Sequence, residues 1–247
     1  MKIACIIASR MSSTRLPEKA MMKILGKPML EQLVNRVHRS KLIDEIVVAT
    51  TIDPNDYVII DLAKRIGVNS YAGSSEDVLG RTLEAAKSID ADIIVQINGD
   101  CPLIDPEISD IVIKKYLEKE PDYATNALKK TFPLGLNTEV FSVEILDKVD
   151  KITNDSFDRE HVTLYIYEHP KKYKLLNIEA PPELRKPDLR LTVDTIEDIT
   201  LVRKIYNALY PKNPFFTIKD VINLFEKNPR LKEINASIRQ RNPRKKE

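Results

Sequence analysis

The chain is 247 residues long, 43% hydrophobic and 31% charged, with a formal net charge of +2. That length and balance describe one globular core, or a core with a small appendage, and exclude a disordered chain. The charge is too small to predict a nucleic-acid or membrane partner by itself, and the apolar runs are far short of a bilayer span. Two cysteines, Cys5 and Cys101, give no disulfide framework and no zinc spacing, which suits a reducing cytoplasm.

The first apolar run, 2–8, reads as a buried strand. Met1-Lys2 ahead of six apolar residues resembles a short signal peptide, but Arg10 ends the run early and no small-residue cleavage site follows. The stretch from Ser9 to Lys19 comes next. It holds Arg10, Arg15 and Lys19, with the hydroxyls of Ser12, Ser13 and Thr14 between them. Gly26-Lys27-Pro28-Met29 and a helical pattern follow. A strand, a cationic loop and a helix form the layout of a phosphate site at the carboxyl end of a first strand. Three cations spaced by hydroxyls could surround a triphosphate; the alternative is a solvated basic loop.

Further along, strand patterns at 45–50, 69–72 and 92–97 alternate with helical patterns at 28–39, 55–66 and 75–88. This alternation predicts βαβ units and a mostly parallel sheet. Asp53-Pro54 leads the second helix as a cap followed by a first-turn proline. Ser74-Ser75-Glu76-Asp77 suits the start of the third. Pro106-Glu107 opens a helix over 106–119. The pattern then changes. Residues 122–142 are turn-rich and end in a strand at 138–142. Helices are expected at 143–150 and 156–168, extended runs at 173–178 and 188–193. Residues 122–185 read as an insertion on the sheet, a lid, a dimer arm or both. The last large helix spans 195–209, short helices cover 217–226 and 229–235, and 239–247 is a loose basic tail.

Two acids stand at strand ends. Asp100 follows Asn98-Gly99 where the fourth strand gives way to Cys101-Pro102, and Asp194 follows Leu189 to Val193. If both runs lie parallel to the first strand, the two carboxylates converge beside the basic loop. Two carboxylates facing a triphosphate suit Mg²⁺ (or Mn²⁺), which takes oxygen ligands and keeps several waters. The alternatives are an Asx-turn for Asp100 and a helix cap for Asp194.

Arg10 to Lys19 resembles the signature loop of the sugar-acid cytidylyltransferases, the enzymes that make CMP-3-deoxy-manno-octulosonate and CMP-sialic acid. Gly26 to Met29, Asn98 to Pro102 and Val193 to Asp198 fall in that family's order. Gly73 to Arg81, Arg159-Glu160-His161-Val162-Thr163 and Glu233 to Gln240 place the nearest resemblance with its spore-coat polysaccharide branch. The resemblance covers nearly the whole chain. It implies one α/β domain over 1–247 with a Rossmann-like nucleotide-diphospho-sugar transferase fold, and a homodimer. It implies transfer of CMP from CTP to an acidic acceptor with release of pyrophosphate. Arg10, Lys19 and Asp100 are the implied catalytic residues. Arg15, Ser12 and Ser13 would add phosphate contacts. Ala8, Arg10, Gly73, Arg81 and Asn98 would lie around the nucleotide. Asp100 and Asp194 would hold the metal.

Arg81 reads equally as a surface helix arginine. Asn98 stands where the octulosonate enzymes carry Gln, Glu18 where they carry Gly, and Asn137 where spore-coat relatives often show Asp. The acceptor candidates are Asn137, Glu139, Arg159, Glu160 and His161; the alternative is an Arg159–Glu160 ion pair with a half-buried His161. His38 and His169 read as structural.

Other readings lack their marks. A sugar-1-phosphate nucleotidyltransferase opens with a glycine-rich loop, and no Gly precedes Gly26. A metal-dependent glycosyltransferase needs Asp-x-Asp at the strand end. P-loop and dinucleotide-binding glycine spacings are absent. A non-catalytic nucleic-acid module has only the basic tail in its favour.

Overall fold

The computed structural model describes residues 1–240. β1 (Ile3–Ala8) leads into the basic loop, a 3-10 turn at Lys19–Met21, and a small hairpin of β2 (Lys23–Ile24) and β3 (Lys27–Pro28). The hairpin tip takes positive φ at Leu25 and Gly26, the geometry a two-residue hairpin requires. Then come α1 (Met29–Val37), β4 (Glu45–Thr51), α2 (Tyr57–Arg65), β5 (Asn69–Gly73), α3 (Val78–Lys87), β6 (Ile93–Asn98) and α4 (Pro106–Lys119), close to the expected spans. Asp53 caps a 3-10 turn at Pro54–Asp56 that leads into α2. Asp77 caps α3 by accepting from the Gly80 amide, so the helix starts at the end of the Ser74–Asp77 run. The second half contributes β7 (Tyr123–Thr125), β8 (Glu139–Ser142), α5 (Val143–Ile152), α6 (Ser156–Glu160), α7 (Leu164–Glu168), β9 (Leu175–Asn177), α8 (Ile196–Leu209) and α9 (Ile218–Lys227).

One seven-stranded sheet runs in the order β5-β4-β1-β6-β8-β7-β9. The first four strands are mutually parallel; β8 is antiparallel to β6 and β7, and β9 is parallel to β7. After β5 the chain crosses back over β1 to lay down β6. The strand order therefore reverses between β1 and β6, and ligands of such sheets bind beyond the carboxyl ends at that reversal.

Two expectations need correction. The run 188–193 forms no strand of the sheet. It makes a single parallel bridge, Leu134 to Arg190, and is otherwise irregular. The helix expected over 156–168 is broken into α6 and α7, because Val162 takes φ +50, outside the helical basin. Residues 122–185 supply β7, β8 and β9 to the sheet. Tyr123–Thr125 is not legible as a strand in the sequence, because three residues are too few to display alternation.

Apolar side chains alternate across β1. Cys5 and Ile7 meet α1, α2 and α4 on one face, and Ala4 and Ile6 meet α3, α5 and α7 on the other. A third core lies beyond the strand ends, where Leu16, Ile24, Leu191 and Val193 pack against α8 and α9. Leu191 and Val193 are fully buried, and burying such side chains stabilises by roughly 1.5–3 kcal/mol each. That packing holds 189–194 in place of a strand ladder. Among the described residues no helix is long and apolar enough to cross a membrane. Of the basic tail, residues 241–247 lie outside those described.

Candidate active site

A cleft of about 360 Å³ opens at the carboxyl ends of β1 and β6. Its walls include Ala8, Arg10, Ser13, Arg15 and Lys19 from the first loop, Arg81 from α3, Asn98 to Asp100 from β6, Glu160 and His161 from α6 and its end, and Asp194. A larger hollow, about 1140 Å³, lies at the opposite end of the sheet beside Met1, Asp92 and Ser142. It holds none of the residues expected to act on a nucleotide, so the smaller cleft is the better candidate.

The loop is tied down at several points. The Ser9 amide donates to Ala49 and the Gly99 amide to Ala8. A side chain on Gly99 would put its Cβ 2.6 Å from the Ala8 carbonyl oxygen, so only glycine lets β6 end this close to β1. Asp56 anchors the other end. Its buried carboxylate accepts from the Met11 amide at 2.7 Å, from the Thr51 amide, and from the hydroxyls of Thr50 and Thr51. Four donors offset the cost of burying this charge. Sequence reasoning missed Asp56; the hydroxyl pair closing β4 just before an acidic turn is the signal that could have found it.

Lys19 reaches the centre of the cleft. Its Nζ donates to Asp100 Oδ2 and Asp194 Oδ1 at 3.1 Å each, and to the Val193 carbonyl at 2.8 Å. Burial lowers the ammonium pKa, but the two carboxylates more than offset this and raise it. Asp194 also meets the Arg15 guanidinium at 3.0 Å and that of Arg190 at 2.8 Å. Burial works to raise the Asp194 pKa, yet Lys19, Arg15 and Arg190 together hold it below the usual carboxylate range. Asp100 and Asp194 are thus joined through one ammonium. The Val193 amide donates to the Asp100 carbonyl at 2.8 Å, which brings the irregular run to the end of β6 without a shared ladder.

Neither alternative for the aspartates describes the geometry. Thr195, not Asp194, caps α8, in a reciprocal capping box with Asp198. The Asp100 carboxylate faces Lys19 and the Cys101 thiol. Asp198 is fully buried and accepts from Arg190, the Asp194 and Thr195 amides, and Asn235. The sequence does not mark Arg190 or Asp198 individually. Only the folded chain brings Arg190 onto Asp194, although their i, i+4 spacing was visible.

Arg81 is 4% exposed, which excludes the surface-arginine reading. It donates to the Ser74 carbonyl, while its Nε is buried without a partner. Burial, and the nearby Arg10 charge, push its pKa down. Arg10 donates to the Ser75 carbonyl across the cleft mouth. Gly73 and Ser12 lie outside the cleft walls; a Cβ on Gly73 would press on the Arg81 stem at 3.0 Å.

The acceptor candidates separate. Glu160 and His161 line the cleft. Arg159 points elsewhere and pairs with Asp77 and Asp150, clamping the cap of α3 to α5 rather than pairing with Glu160. Asn137 lines a different hollow, of about 210 Å³, beside Arg190 and Gln240. Glu139 accepts from the Thr163 hydroxyl at 2.7 Å and is not among the cleft walls; burial raises its pKa.

A cytidylyltransferase family model matches residues 4–240. The chain belongs to the cytidylyltransferases. It is 39% identical over 244 residues to an uncharacterized protein of Methanocaldococcus jannaschii, covering 99% of this chain and 98% of that one. It is 34% identical to the spore coat polysaccharide biosynthesis protein SpsF of Bacillus subtilis, covering 92% and 95%. The spore-coat likeness is thus whole-length but moderate, and it does not set that branch apart as the nearest. A solved cytidylyltransferase from Leptospira borgpetersenii superposes with a TM-score of 0.88 at 35% identity, covering 94% of this chain and 96% of that one. The fold of this cytidylyltransferase is the Rossmann-like α/β fold of that structure, and its activity is nucleotidyl transfer.

Proposed function

We propose that this cytidylyltransferase moves CMP from CTP to an acidic small-molecule acceptor, a sugar acid for a surface polysaccharide, and releases pyrophosphate. The observation that carries the reading is Lys19 between Asp100 and Asp194, in a cleft that also presents Arg10 and Arg15. Cations spaced along one loop match the charge of a triphosphate and of the departing pyrophosphate. Arg10 and Arg15 offer forked contacts, and Lys19 a point charge. Arg81 adds a further guanidinium to the cleft wall. Glu160 and His161 also line the cleft, where an acceptor hydroxyl would approach the α-phosphate.

The donor set also fits a divalent metal. Asp100 and Asp194 already share one cation through hard oxygen donors. Among the described residues no cluster of three or more acidic, His or Cys side chains could hold a metal by itself. Two carboxylates completed by phosphate oxygens and water suit Mg²⁺. Bound there, the metal would neutralise charge on the phosphates. The chain's own residues bind the triphosphate, orient it, and draw negative charge off the leaving group.

The test is pyrophosphate release with each of the four nucleotides against a panel of acidic acceptors. Turnover with CTP and a 2-keto sugar acid is expected. Release with GTP or UTP and a sugar 1-phosphate would instead identify a sugar-1-phosphate nucleotidyltransferase. Asp100→Ala is expected to lower turnover by at least about a hundredfold, with an unchanged circular dichroism spectrum; retained turnover removes Asp100 from the mechanism.

A further inference from the structure

Three cations and three carboxylates form one connected network at and beneath this cleft. Lys19 spans Asp100 and Asp194 at 3.1 Å each, Arg15 and Arg190 hold the second oxygen of Asp194, and Arg190 also holds Asp198 at 2.9 Å. The charges balance without any ion from solution. Lys19 occupies the position between the two carboxylates, and the Val193 carbonyl fixes its ammonium from a third side. Its side chain is 15% exposed, and those of Asp100 and Asp194 are 24% and 10% exposed. A divalent cation entering this network would add two charges beside three resident cations, with no new anion to balance them. It would also have to separate Lys19 from both carboxylates, and an ammonium left without them in a partly dehydrated cleft is costly.

A triphosphate changes both conditions. It brings several negative charges and offers Lys19 new oxygen acceptors, which draw the ammonium off the carboxylates. We propose that Lys19 is a built-in plug: it excludes divalent metal from the nucleotide-free protein and yields the two carboxylates only when a triphosphate takes its ammonium. The free protein therefore takes up metal with the nucleotide or after it, never before. This rests on the reading of the cleft as a CTP site. It adds that Lys19 does two jobs in sequence, guarding the carboxylates and then binding phosphate. It also gives a reason for the pairing of Lys19 with two acids rather than with one.

The experiment follows Mn²⁺ binding through the relaxation of water protons, which changes when the ion tumbles with the protein. Four samples are compared: wild type and Lys19→Met, each with and without CTP, with CTP binding measured separately by equilibrium dialysis. Wild type alone is expected to bind Mn²⁺ at least about tenfold more weakly than wild type with CTP, and Lys19→Met alone to bind it at least about tenfold more tightly than wild type alone. Equal Mn²⁺ affinity of wild type with and without CTP overturns the plug, and needs no variant. Equal affinity of the two nucleotide-free proteins, both folded by circular dichroism, overturns it as well. Lys19→Gln replaces Lys19→Met if the methionine variant does not fold. CTP that fails to bind wild type removes the nucleotide reading itself. Bound CTP with Mn²⁺ indifferent to Lys19 removes only the plug.

Discussion

Glu18 sits in the basic loop, next to Lys19, at φ +59, a left-handed conformation that L side chains adopt at a cost. The octulosonate enzymes carry Gly at this place, so what reads in the sequence as a charge change is also a backbone change. Glu18→Gly is expected to raise stability by about 0.5–1 kcal/mol, since relief of strain outweighs the added freedom of the unfolded chain. It also removes a negative charge one residue from Lys19 in the chain, and CTP is expected to bind more tightly. Urea unfolding and dialysis check the two effects. Glu139 supplies a second prediction. Burial raises its pKa, so the folded protein retains a proton that the unfolded chain releases. Stability falls as pH climbs from the ordinary carboxylate range up to the raised value, because the folded state binds more protons there. Glu139→Gln keeps an oxygen for Thr163 and removes the titration. Its melting temperature relative to wild type is expected to rise from pH 4 to pH 8; a difference that is flat in pH refutes this account.

At the scale of elements, the site depends on backbones brought unusually close. Gly99 lets β6 end against β1. Gly135, at φ +101, lets the 134–136 segment lie against the 189–194 run, where a Cβ would come within 2.6 Å of the Thr192 nitrogen. Gly99→Ala is expected to cost roughly 1–3 kcal/mol, since the clash is with backbone and cannot be relieved by a side-chain rotation. Turnover should fall further than stability alone explains, because Asp100 follows directly in the chain. Denaturant titration and steady-state rates test this together. The broken helix between α6 and α7 belongs to the same scale. Helical patterning over 156–168 was legible, but local pattern does not register the one residue, Val162, whose left-handed φ ends the turn and leaves His161 beside the cleft.

For the whole molecule, the third core matters most. It joins Leu16 of the loop to Val193 and to α8 and α9, so the two parts of the chain that carry Lys19 and Asp194 are held by one apolar cluster. Nucleotide binding at their junction is expected to stabilise the entire fold. CTP with Mg²⁺ at a hundredfold excess over its Kd should add about 2.7 kcal/mol to unfolding. The shift in melting temperature is expected to be larger for CTP than for the other three nucleotides, and a shift equal for all four speaks against cytosine selection.

Sequence alone determined the first half of the sheet, because parallel buried strands read as continuous apolar runs and their helices as 3.6-residue periods. It also determined the family, because several ordered motifs are far more specific than any one. It placed Arg10, Lys19, Asp100 and Asp194 as candidates, since Arg10 and Asp100 follow strand ends, Lys19 closes the basic loop, and Asp194 ends an apolar run that reads as a strand. Tertiary structure alone decided that Asp194 reaches Asp100 from an irregular run rather than from a strand. It also decided that Lys19 lies between them, that Asp56 and Asp198 anchor the loop and the run, and that Arg159 and Asn137 lie away from the cleft. The reason is physical. Periodicity and propensity are local, whereas buried charges are placed by whichever donors the packed fold brings within about 3 Å.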